Sequence, residues 1–184
     1  MAERASPFSV KVMGGGDKIS LSAPDRGSLW QIACWPETAA AVEKQLTKAV
    51  GAKAPAPGKV SVAGDGRLLV RIEPLKWWVL GADGAECPYE PAADDGVFLD
   101  MSHDQVAIDI TGPEAVELLK RMVSIDLREA AFPDLSFAST TVHHMFLKVL
   151  RQDRDGVPNY RLLAMRSYAD NLREVVSHHL HQYG

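Results

Sequence analysis

Cysteine is scarce in this 184-residue chain: Cys34 and Cys87 stand far apart and fit no metal-ligand spacing. A disulfide framework therefore has no basis, and Cys34, set in an apolar run, reads as a buried thiol. Long apolar runs are missing too. The opening MAERASPFSV has no signal-peptide core, and no segment approaches the length of a membrane span, so a cytoplasmic protein is expected. Positive charge is never concentrated. Twenty Lys and Arg against 24 Asp and Glu leave a net charge of −4, and no basic run offers a phosphate-neutralising surface, which argues against a nucleic-acid binder.

What remains is ordinary globular material, 46% apolar and 24% charged, long enough to bury a core without staples. SLWQIACW, Ser28 to Trp35, reads as a strand stopped by Pro36. Glu37 to Val50 places Ala39, Val42, Leu46 and Val50 on one helical stripe, with Gly51 as its stop. A Pro-rich connector follows, then two short segments parted by Gly66. Leu68, Val70 and Ile72 alternate, and Lys76 to Ala82 is a further strand. Asp83 to Gly96, with two prolines and several acids, reads as a loop between two halves.

Val106, Ile108 and Ile110 alternate with polar or small residues, a strand ended by Gly112-Pro113. Pro113 suits the first position of a helix over Glu114 to Val123. Thr140 to Arg151 and Asn159 to Met165 read as two strands joined at Asp155-Gly156. The chain closes with a helix for which Ser167 is the N-cap candidate and Asp170 a first-turn acid. The expected fold class is α+β: an irregular lead-in over 1–27, then two αβ halves, 28–95 and 96–184, with largely antiparallel sheets. One continuous domain could also contain both halves.

Ser102, His103 and Asp104 spell a hydrolytic triad in consecutive positions. On a strand, Ser102 and Asp104 share a face while His103 points away, so the three cannot form a relay with one another. Ser102 and Asp104 read as turn or strand-end residues whose oxygens hold local backbone N–H groups. His178 and His181 share a helical face but lack a third metal ligand. His143-His144 reads as part of a strand, one ring in and one out. Gly14-Gly15-Gly16-Asp17 lacks the Gly-Lys-Ser/Thr ending of a phosphate loop, and no helix follows the glycines of GDGRLLV. No catalytic, cofactor-binding or metal residue is assigned. Trp77-Trp78 is more informative: on a strand the rings project to opposite faces, one into the core. The other is covered within the chain or anchors a partner interface.

DMSHDQVAIDITGPEAVELLKRMVSIDLREAAFP resembles the central block of the gamma subunit of heterotetrameric sarcosine oxidase. The shared marks are Asp100, Ser102, Gly112, Pro113, Asp126, Leu127, Phe132 and Pro133. IACWPET, RIEPLKWWVLG and MRSYADNL resemble other marks of that family, in the same order, over about residues 28–180. Glu73 departs from the glycine usual before Pro74. The resemblance implies a fold related to the folate-binding domain of aminomethyltransferases and to the N-terminal domain of a tRNA-modifying GTPase. It implies a non-catalytic subunit packed on large flavoprotein subunits, in a complex that oxidatively demethylates sarcosine to glycine. FAD, FMN, NAD and tetrahydrofolate would belong to those other subunits. Two alternatives stand beside it: a small folate-binding aminomethyltransferase-like protein, and the equivalent subunit of a complex acting on another N-methyl amino acid, such as N-methylglutamate.

Overall fold

A computed structural model describes residues 12–15, 18–24 and 27–183. In chain order the described elements begin β1 (Val12–Gly15), β2 (Ser20–Ser22), β3 (Gly27–Cys34), α1 (Ala39–Val50), β4 (Val60–Val62), β5 (Leu68–Glu73), β6 (Lys76–Ala82) and β7 (Gly96–Asp100). They continue β8 (Gln105–Thr111), α2 (Ala115–Leu119), β9 (Phe137–Val142), β10 (Met145–Arg151), β11 (Asn159–Met165) and α3 (Ala169–Tyr183). Every strand pairing among the described residues is antiparallel, which makes the class α+β.

The chain divides into two compact units, residues 25–103 and residues 1–24 with 104–184. The boundary falls after His103 rather than at 95, because β7 pairs with β3 along its whole length. The described part of the lead-in is not irregular: β2 pairs with β8, which ties it to the second unit. Residues 1–11, 16–17 and 25–26 of the lead-in, Gly16 and Asp17 of the glycine run among them, lie outside the described residues.

In the 25–103 unit the sheet order is β4-β5-β6-β3-β7. Helix α1 forms because Val42, Leu46 and Val50 recur every four residues and need one apolar cover. They pack on Trp30, Ile32, Leu69, Trp77 and Val79. Gly51, at φ 74°, ends the helix in the left-handed region, and its N–H donates to Thr47 O at 2.9 Å. The helix starts at Ala39 and not at Glu37, because Thr38 N–H turns back to Trp35 O at 3.1 Å.

In the other unit the order is β1-β2-β8-β11-β10-β9. Leu118 and Leu119 of α2 and Leu172 and Val176 of α3 cover one face, against Ile108, Ile110, Leu147, Val149 and Leu162. The β10–β11 hairpin turns at Asp155 and Gly156, both at positive φ (51° and 77°), as the sequence predicts for this pair. Thr140 to Arg151 is not one strand. It breaks into β9 and β10 at His143-His144, with His143 at φ 51°, so both imidazoles sit on an exposed turn. Helix α2 is shorter than the predicted 114–123, and the turn Arg166–Tyr168 precedes α3 where Ser167 was the expected cap.

Trp77 and Trp78, one of which could be covered within the chain or anchor a partner, are both buried. Trp77 is 0% exposed and Trp78 2%. Trp77 lies under α1 with the Arg71 guanidinium 5.1 Å above its ring, and its Nε1 finds no partner among the described residues. Trp78 Nε1 donates to Gln31 Oε1 at 3.1 Å, directly across the β3–β6 pair. Trp78→Phe strands that acceptor, whereas Trp77→Phe removes a donor already unsatisfied. Trp78→Phe is therefore expected to cost about 1 kcal/mol more stability than Trp77→Phe, measured by urea unfolding.

Candidate functional site

The Ser102 hydroxyl is committed to structure. It accepts Leu29 N–H at 3.0 Å and donates to Asp100 Oδ1 at 2.6 Å, while Ser102 N–H donates to the same oxygen at 2.9 Å. This is an Asx-type turn that pins the end of β7 to β3. His103 and Asp104 are exposed, and the serine's acidic partner is Asp100, with no imidazole between them. The arrangement holds backbone and cannot activate an oxygen nucleophile.

The two thiols are likewise unsuited to attack. Burial pushes both Cys34 and Cys87 above the ordinary thiol value, which keeps them protonated at neutral pH. Among the described residues, no three His, Cys, Asp or Glu side chains converge for a metal ion. His181 turns its Nδ1 to Ser177 O at 2.6 Å instead of joining His178.

His179 is different. Its Nδ1 is buried with no hydrogen-bond partner among the described residues, and its ring meets His178 edge-on at 5.6 Å. Burial lowers its pKa first, then the positive neighbours His178, His143 and Arg121. The folded state thus resists protonation more than the unfolded chain, whose His titrates near 6.5. Stability linked to His179 is complete above that pH and is lost as pH falls through it, because the unfolded state then binds the extra proton. His179→Gln is expected to flatten this slope in melting temperature between pH 7 and pH 5.5.

Two ionic clusters fix the second unit. Asp109, on β8 and 1% exposed, accepts Arg161 Nε at 2.7 Å and Nη2 at 2.9 Å, with Arg154 Nη2 at 2.8 Å. Arg151, also buried, donates to Phe132 O at 2.8 Å and grips both oxygens of Asp153 at 2.9 and 2.8 Å. Its guanidinium lies 5.6 Å from the Tyr160 ring. Each cluster joins the β10–β11 hairpin to a neighbouring segment. Pattern reading missed both: the partners of Asp109 lie 45 and 52 residues away, and Arg151 reaches back to Phe132 as well as to nearby Asp153.

The surface carries its own signal in the 25–103 unit. β7 is the edge of its sheet, and Val97 and Leu99 stand 50% and 51% exposed on it. Phe98 between them points inward to the α1 core. Trp35, just past β3, is 46% exposed, and its N–H reaches Asp95 O at 3.4 Å beside the start of β7. Of these tryptophans the exposed one is therefore Trp35, not Trp77 or Trp78; in the other unit Phe146 on β10 is exposed as well. IACWP held the clue: a proline directly after the strand turns the chain away before the indole can be covered.

No family model and no curated protein matches this sequence. A solved structure does share the fold: a chain of "Heterotetrameric Sarcosine Oxidase from Corynebacterium sp. U-96 in complex with pyrrole 2-carboxylate". The TM-score is 0.76 at 16% identity, over 92% of this chain and 87% of that one. The class of protein is thus a two-sheet α+β fold, shared with a chain of that oxidase. No helix among the described residues is long and apolar enough to cross a membrane.

Proposed function

We propose that this chain is a gamma-type, non-catalytic subunit of a heterotetrameric sarcosine oxidase. In this reading it packs on the large flavoprotein subunit of a complex that oxidatively demethylates sarcosine to glycine in the cytoplasm. The observation that carries the reading is the shared fold, which runs through 92% of this chain and 87% of a sarcosine oxidase chain. The order of the sequence marks, from IACWPET through DITGPEA to MRSYADNL, supports it independently.

The side chains fit a docking role. Ser102, Asp109 and Arg151, the polar groups with the best-defined geometry, are each spent on tying strands and turns together. FAD, FMN, NAD and tetrahydrofolate are assigned to the other subunits, and this chain holds surfaces in position. Fold alone does not fix function, so the test is biochemical. Co-expressed with the sarcosine oxidase flavoprotein chains of the same genome, the chain is expected to co-purify with bound flavin. A chain that stays monomeric beside them contradicts the reading. Micromolar binding of tetrahydrofolate by the isolated chain would point instead to a folate-dependent transferase.

A further inference from the structure

The β7 edge combines three properties that rarely coincide without a partner. First, it is an end strand, with no described strand on its outer side. Met101 N–H donates to Leu29 O at 2.8 Å, which makes Leu29–Met101 a hydrogen-bonded pair. The alternation of an antiparallel ladder then turns the backbone N–H and C=O of Phe98 outward. Second, the edge is apolar. Val97 and Leu99 lie on the same sheet face, opposite Ala33 and Gln31, with Trp35 exposed nearby. Edge strands are usually blunted by Lys, Pro or a bulge, and GVFLD has no Lys or Pro and pairs without a register shift.

Third, its surroundings have one sign of charge. Residues 83–100 contain Asp83, Glu86, Glu90, Asp94, Asp95 and Asp100, and no Lys or Arg. That segment's formal charge of −6 exceeds the −4 of the entire chain. Two copies pairing through β7 would bring two such segments together, and like charge opposes it. An apolar strip within an acidic frame is complementary to an apolar strand flanked by Lys or Arg.

We propose that β7 is a docking edge that accepts an extended segment of a partner protein as an added strand, with apolar side chains meeting Val97, Leu99 and Trp35 and basic residues meeting the acidic frame. Strand addition of this kind takes affinity from the main chain and specificity from alternate side chains. The proposal rests on the subunit reading, in which the partner is the flavoprotein subunit.

The test is co-purification of V97K/L99K with the co-expressed flavoprotein chains, beside wild type. Both side chains are half exposed, so the isolated variant is expected to melt as wild type does. Its association should weaken at least tenfold. A second variant, E90K/D94K, alters only exposed carboxylates and should lose most of the salt dependence of association. If wild type binds and both variants bind equally well with unchanged salt dependence, the docking edge is wrong while the subunit reading stands. If wild type does not bind, the subunit reading fails and takes this surface with it. If the isolated chain dimerises and V97K/L99K makes it monomeric, the occupant is a second copy and the proposal is overturned.

Discussion

Asp109→Ala should lower stability by about 3 kcal/mol, in the range found when one partner of a buried ion pair is removed. Asp109 is almost wholly enclosed, and two guanidiniums converge on it. Without the carboxylate, Arg161, which is mostly covered, keeps a charge with no counterion. Arg154 reaches further into water and can rehydrate, which keeps the figure toward the low end of the range. The cluster holds two cations for one anion, so its members are unequal. Arg161→Met leaves Asp109 neutralised by Arg154 and should cost less. Arg154→Met should cost least, about 1 kcal/mol or below. Urea unfolding of the three variants checks the order. Equal losses would mean that the carboxylate is not the hub.

Gly112→Ala is expected to be at least as damaging. Gly112 sits at φ 139°, a region costly for any residue with a Cβ. The added methyl would stand 2.1 Å from Lys18 O, a backbone atom that cannot swing aside. Lys18 O also accepts Glu114 N–H at 3.3 Å, and Gly112 N–H donates to Pro158 O at 3.0 Å. Displacement would therefore disturb the start of α2, the β2–β8 pairing and the approach to β11 together. Backbone strain and overpacking each cost about 1–3 kcal/mol, and their sum puts the loss near 4 kcal/mol. Faster amide exchange at Leu21 and Ser22 should accompany it. A loss below about 1 kcal/mol would contradict this view of the Gly-Pro step.

Elements with one clear apolar period were legible in the sequence. Helix α1, the alternating β8 and the strands β5, β6 and β11 fall close to their predicted places. The misses have separate causes. Val97, Phe98 and Leu99 are all apolar, so β7 shows no inner and outer face until its pairing with β3 is known. FASTTV of β9 is short of apolar residues, and the turn after it uses His143 where a Gly or Asn would have announced a left-handed position. The unit boundary depends on the β3–β7 and β2–β8 pairings, which are long-range and leave no local trace.

The site was legible in one respect and hidden in another. Adjacent residues on a strand cannot build a triad, and Ser102 is indeed a turn residue bonded to Asp100 and Leu29. Which aromatics stay exposed could not be read. Trp77 and Trp78 are consecutive on an inner strand and both buried, while Trp35, just before Pro36, is exposed. The buried Asp109 and Arg151 clusters were invisible because their partners come from different elements.

Size-exclusion chromatography of the chain co-expressed with the flavoprotein subunits, read at the flavin absorbance and by subunit staining, tests docking most directly. The expected result is one peak holding this chain and the flavoprotein in equal amounts, from which V97K/L99K is lost. A flavin-containing peak that assembles fully without the chain, which then elutes alone at its own mass, would contradict it.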